Sequence, residues 1–328
     1  MVSAPDWYAD ALVVDALQLS RWDRELFEEL RAGGLSCVHV TCAFWEDARA
    51  TLSTLGAWER RFREHADIVV PVRCAADVEA ARSSGRTGIL LGFQNASPIE
   101  NDLDLVGAFR ALGVRIVQLT YNNQSLLGSS CYEREDAGLT RFGRLVVREM
   151  NDLGLLVDLS HVGARTSLDA IEHSAAPVAI THANPAFALD VPRNKPLEVL
   201  RACAQRGGVV GLCVYPLVLP GGADCSWESF LDMLLRTVHA VGIEHVGIGT
   251  DFTRKQPVDF IRWLRAGRWT REPDQTVQLP RWPTWLPSPA DFPRFAGRLA
   301  DAGLTEHEAR LLLGENWMRL FAETLGER

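Results

Sequence analysis

The sequence predicts an α/β fold, a (β/α)8 or TIM barrel, as one domain over residues 1–328. Three observations predict it. Eight short, nearly continuous apolar runs recur along the chain, the pattern of parallel strands covered on both faces. Amphipathic helical stretches fill the gaps between them. Several of those stretches reach a glycine just before the next run, a common way for a helix to stop.

The runs come in order as Leu12–Leu17, Ser36–Cys42, Gly88–Asn95, Val114–Asn122, Leu155–His161, Pro177–Asn184, Gly208–Pro216 and His245–Phe252. Helical patterns span Arg24–Ala32, Thr54–Ala66, Leu103–Leu112, Leu139–Leu153, Ser167–Ser174, Pro196–Arg206 and Trp227–Val241. Gly33, Gly113, Gly154 and Gly242 mark helix ends. An open, doubly wound sheet is the competing architecture. Residues 254–289 break the rhythm with four tryptophans and six prolines. They follow the last run and so belong at the barrel mouth, as a substrate lid, a dimer contact or a loop packed on its own aromatics. Two closing helices follow within 293–324, and Thr305 with Glu308 has capping-box spacing.

Composition excludes several classes. The chain has 34 basic and 42 acidic residues, a formal net charge of −8, and is 47% hydrophobic. No basic block suits a phosphate backbone, so nucleic acid is not an expected partner. No apolar stretch is long enough for a membrane helix. The start, MVSAPDWYAD, lacks the pattern of a signal peptide. The seven cysteines form no CxxC pair and read as reduced thiols of a cytoplasmic protein.

In such a barrel chemistry gathers at the C-terminal strand ends. Those ends carry Leu17 and Gln18, Cys42, Gln94 and Asn95, Tyr121 and Asn122, His161, His182, Tyr215 and Asp251. Two imidazoles and a carboxylate facing one cavity suit either a divalent cation or acid/base work.

The segments DLSHVG (Asp158–Gly163), ITHANP (Ile180–Pro185), PRN (Pro192–Asn194), GIGTDF (Gly247–Phe252) and GENWMRLF (Gly314–Phe321) resemble the membrane (renal) dipeptidase family, peptidase family M19. The order and spacing agree from about Leu12 to Phe321. The resemblance implies a zinc-dependent, amidohydrolase-like barrel, often dimeric, that cleaves dipeptides at two bridged zincs. It gives His161 and His182 as ligands of the second zinc. Asp251 matches the aspartate that touches the first zinc and the attacking water, and Arg193 matches the arginine that holds the substrate carboxylate.

This chain departs from that pattern. Where the family has an Asp-Gly-His-Asn-Asp type segment with two ligands to the first zinc, it reads Asp15-Ala16-Leu17-Gln18-Leu19. Gln94 replaces the bridging glutamate, and Tyr121 replaces a histidine that contacts the tetrahedral intermediate. Leucine cannot coordinate a cation, and a neutral amide is a poorer ligand than a carboxylate. A dinuclear site is therefore not expected, and the chain holds one zinc or none. Gln18, Gln94, Asn95, Asn122 and Tyr121 form a neutral hydrogen-bonding set suited to a polar group or an oxyanion. The first reading is a dipeptidase-like hydrolase in which His161 and His182 hold the metal, Asp251 is the base and Tyr121 supports the oxyanion. The second is a metal-independent lyase, isomerase, cyclase or amide-forming enzyme. The third is a non-catalytic ligand-binding homologue. A homodimer is expected by resemblance.

Overall fold

Nine strands, all paired in parallel, account for the sheet of the computed structural model, which describes residues 3–267 and 269–326. They are β1 (Val14–Gln18), β2 (Cys37–Thr41), β3 (Val69–Pro71), β4 (Thr87–Phe93), β5 (Val114–Gln118), β6 (Leu156–Asp158), β7 (Ala179–Ile180), β8 (Val209–Leu212) and β9 (Val246–Ile248). Eight follow one path, β1-β2-β4-β5-β6-β7-β8-β9. The path nearly closes on itself through a parallel bridge between Gln18 and Phe252. There the Leu19 amide donates to the Phe252 carbonyl and the Asp251 amide to that of Leu17, both at 3.0 Å. The expected barrel is therefore present.

One strand was not legible in the sequence. β3 pairs with the first residues of β4, at Thr87–Ile89, and β5 takes over from Leu91 on. A helix missing from the sequence reading, α3 (Ala75–Ser83), follows β3. The other helices are α1 (Arg24–Ala32), α2 (Ala48–Glu64), α4 (Asp104–Ala111), α5 (Arg141–Leu153), α6 (Ala164–His173), α7 (Leu197–Gln205) and α8 (Trp227–Val241). α5 ends on Gly154 in the left-handed region, φ 67°, which a residue without Cβ enters at little cost.

The strand starts are sealed from below. The closing segment forms α10 (Phe292–Asp301), α11 (Glu306–Arg310) and α12 (Asn316–Thr324), with a π-turn at Leu311–Glu315. α11 opens on the anticipated capping box of Thr305 and Glu308. Trp317 and Phe321 of α12 pack against Val14, Ile116, Leu156 and Val209. Gly247 admits that indole: a Cβ there would lie 2.3 Å from Trp317 Nε1. With this end filled, the open end is the one where the strands finish.

The 254–289 segment lies at that open end. It begins with α9 (Val258–Ala266). Its tryptophans pack on the barrel rim. Trp282 stands edge-on to Phe252, and Trp285 lies over Phe230 while its Nε1 donates to the Cys225 carbonyl at 2.8 Å. Residue 268 of this segment, with residues 1, 2, 327 and 328 at the chain ends, lies outside the described residues.

Candidate functional site

Past the last ladder pair of β6 and β7, Asp158 with Ala179, the two strand ends are tied by one buried carboxylate. Asp158 Oδ1 accepts from the Ser160 amide, the Ser160 hydroxyl and the Thr181 amide at 3.1, 2.6 and 2.9 Å. Its Oδ2 accepts from the Thr181 hydroxyl at 2.8 Å. Ser160 Oγ in turn accepts from the His182 amide at 3.0 Å. These bonds fix the short segments that present His161 and His182.

The same network assigns the imidazole protons. Each hydroxyl has one proton, and both protons go to Asp158. Thr181 Oγ1 must therefore accept from His182 Nδ1, at 2.7 Å. His161 Nδ1 donates to Asn122 Oδ1 at 2.8 Å. Both Nε2 atoms then carry a lone pair rather than a proton, and they face each other 3.1 Å apart. Burial, and next to it the Arg193 charge, holds both imidazoles well below the ordinary histidine range, so they are neutral and share no proton. Gln94 Nε2 donates to His182 Nε2 at 2.8 Å, while the buried Gln94 Oε1 has no partner.

Asp251 approaches from beyond β9, held in the left-handed backbone region at φ 60°. Such a conformation is costly for a non-glycine residue and is common at functional sites. Burial pushes its carboxyl up to about 7, against the lowering effect of Arg193 and with help from Asp15. Asp15 itself lies inside the barrel and accepts from Thr250 N and Oγ1 at 2.8 and 2.5 Å.

Tyr121 stacks its ring on His161, centroids 4.4 Å apart, with Phe44 and Trp45 edge-on behind it. Burial raises its phenol well above the ordinary value, so it is a neutral donor. Arg193 is 5% exposed and donates Nη1 to the Ser160 carbonyl at 2.5 Å and Nη2 to that of His182 at 2.6 Å. The guanidinium is thus set on the two segments that carry the imidazoles, with other N–H groups left over.

Gln94, Tyr121, Asn122, His161, Arg193 and Asp251 line one cleft, with His182 behind Gln94. Two of the proposed binding residues lie elsewhere. Gln18 turns inward and donates to Asp15 Oδ2 at 2.8 Å. Asn95 donates to the Phe44 carbonyl at 2.6 Å and borders a separate groove beside Trp45 and Trp269. Sequence reasoning missed three contributors. Gln118 donates to the Gln94 carbonyl and accepts from the His161 amide. Lys195, directly after the PRN triplet, is buried, donates to the Val162 carbonyl and is pulled down to about 8 by burial. Ile261, Leu264 and Arg265 of α9 close one side of the cleft, and the apolar spacing of VDFIRWLRA is the signal that could have found them.

Two cations do not fit this donor set. Leu17 and Leu19 pack with Phe44, Trp45, Tyr121, Ile261, Leu264 and Val277, so hydrocarbon fills the place where further ligands would stand. One cation fits better: the two Nε2 atoms lie 3.1 Å apart, and tetrahedral ligand atoms about 2.0–2.1 Å from zinc lie a little over 3 Å apart.

The family model for membrane dipeptidase, peptidase family M19, matches residues 20–260. An amidohydrolase structure from Pseudomonas aeruginosa is 38% identical, with TM-score 0.94 over 98% of this chain and 99% of that one. Dipeptidase verJ of Clonostachys rogersoniana is 26% identical over 95% of this chain and 78% of its own length. A Schizosaccharomyces pombe relative described as an uncharacterized dipeptidase is 32% identical over 62% of this chain, which spans about half (51%) of that protein. A metallopeptidase from Rhodobacter sphaeroides, solved with a phosphinate mimic of the dipeptide L-Ala-D-Ala, shares the fold at TM-score 0.81 and 20% identity, over 96% of this chain and 99% of that one.

Proposed function

The chain belongs to the membrane dipeptidase family, peptidase family M19, and from that membership we propose that it hydrolyses an amide bond in a small, carboxylated, dipeptide-like substrate with at most one metal ion. The observation that carries this reading is the single cleft shared by His161, Arg193, Asp251 and Tyr121, with His182 directly behind.

The geometry supports the following roles. Arg193, anchored on two carbonyls, offers its remaining N–H groups to the substrate carboxylate. Asp251, with its carboxyl near 7, is part ionised at neutral pH. It takes a proton from the attacking water and returns it to the leaving nitrogen. The neutral Tyr121 phenol donates to the developing oxyanion, and Asn122 holds the His161 ring. His161 and His182 would hold a divalent cation, which would supply Lewis acidity for the carbonyl. The reading includes a cytoplasmic location and a homodimer, the latter from family resemblance.

A second reading, a metal-independent enzyme of another class on this scaffold, has its own support. Among the described residues no group of three or more His, Cys, Asp or Glu side chains is placed to hold a cation. Elemental analysis of the purified protein, combined with assays on carboxylated amides with and without chelator, tests both. Up to one equivalent of zinc and chelator-sensitive cleavage is the expected result. Two equivalents would refute the mononuclear site. Full activity after chelation would favour the second reading, and binding without turnover would favour a ligand-binding homologue.

A further inference from the structure

Among the described residues, the side chains lining the cleft include three ordinarily charged groups: the guanidiniums of Arg193 and Arg265 and the carboxyl of Asp251. Arg265, on the exposed face of α9, donates Nη2 to the Tyr215 hydroxyl at 2.9 Å and so holds a second positive charge at the cleft edge. Much of the remaining wall is apolar or phenolic. Leu19, Ile261 and Leu264 belong to the buried cluster around Leu17 and Phe44, and Leu217, Val218, Tyr132 and Tyr215 complete the opposite side.

An ammonium group entering this cleft finds two cations and one carboxyl. That carboxyl is the group placed as the acid/base. A buried ammonium without its own counter-charge is strongly disfavoured. A neutral acyl chain instead finds hydrocarbon and aromatic surface to cover, which is favourable in proportion to the apolar area removed from water. We infer that the cleft selects N-acylated amino acids, with one free carboxylate and an apolar acyl group lacking an α-ammonium, over zwitterionic dipeptides. This deepens the proposed function and rests on it for the seat of the carboxylate at Arg193.

The test compares L-phenylalanyl-L-alanine with 3-phenylpropanoyl-L-alanine, which differ only in the α-ammonium group. Both kcat/KM and calorimetric Kd are measured on the full-length protein in the presence of zinc. The expected result is a preference of about tenfold or more for the acyl compound. Equal values, a preference for the dipeptide, or no millimolar binding of either would overturn the inference. If neither compound is cleaved, the hydrolase reading fails for this substrate class, and the ratio of Kd values still decides the selectivity. Arg265→Glu changes a solvent-exposed residue and is expected to fold. It should cut the preference by about threefold or more, because it replaces a cation with an anion at the cleft edge. An unchanged ratio in this variant would overturn the electrostatic basis of the inference.

Discussion

Replacing Asp251 by Asn should make the protein less active and, at alkaline pH, relatively more stable. The carboxyl is raised from 3.8 to about 7 by burial. At roughly 1.4 kcal/mol per tenfold change in proton affinity, that difference is worth about 4 kcal/mol, as an upper limit for a group bordering a wet cleft. The raised value means the folded state binds the proton more tightly. Below 3.8 both states are protonated, and stability then falls as pH rises from there to about 7. Between about pH 5 and about pH 8.5 the wild type should lose roughly 1–3 kcal/mol through this residue, a loss the Asn variant lacks. Urea unfolding at both pH values gives the number as a difference of differences, so that Asp15, raised to about 6 by burial, largely cancels. The kcat of the variant should fall about 10²- to 10⁴-fold. Parallel stability profiles for the two proteins would refute the raised carboxyl and with it the acid/base role.

Three further predictions test the surrounding structure. Arg193→Lys loses the fork across the Ser160 and His182 carbonyls, so KM for a carboxylated substrate should rise about tenfold or more while its methyl ester is little affected; equal effects on both would count against carboxylate binding. Leu19→Asp puts a carboxylate in the apolar cluster with Ile261 and Leu264, and urea unfolding should show a loss of about 2–4 kcal/mol, whereas a loss under about 0.5 kcal/mol would show the cluster is not packed. In Gly92→Ala the new Cβ would lie 2.2 Å from His39 Nε2 and 2.8 Å from the Ile116 carbonyl. A destabilisation of about 1–3 kcal/mol is expected, and unchanged thermal unfolding would contradict the close approach.

The barrel was legible because parallel strands are covered on both faces and so appear as unbroken apolar runs. The same rule overestimated strand length. The run Pro177–Asn184 forms a ladder only at Ala179–Ile180, because the Thr181 amide and hydroxyl turn toward Asp158 and the His182 amide toward Ser160 instead. β3 was missed because Val69–Pro71 is three residues long and ends in proline, too short for any periodicity. α9 was missed because the prolines and tryptophans of 254–289 mark the whole segment as irregular, although VDFIRWLRA itself carries helical spacing. At the site, strand-end position was enough to find His161, His182, Tyr121, Asn122, Gln94 and Asp251. The same rule also named Gln18 and Asn95, whose side chains instead find nearer partners in Asp15 and the Phe44 carbonyl. A one-dimensional rule sees the strand end and not the neighbouring chain that satisfies the side chain there.

The departures from the family pattern form one block in space. Leu17 lies near the end of β1 and Leu19 follows it, Tyr121 follows β5, and Ile261 and Leu264 come from α9, yet all five pack in one cluster. Removing a metal ligand alone would leave a cavity or an unpaired charge, and either destabilises a core. Here leucines stand where the resemblance would put two ligands, Ile261 and Leu264 fill the space from across the mouth, and Gln94 is hydrogen-bonded to His182. Each replacement is therefore supported by the others. Returning one ligand, as in Leu19→Asp, buries a charge without a second ligand to share a cation.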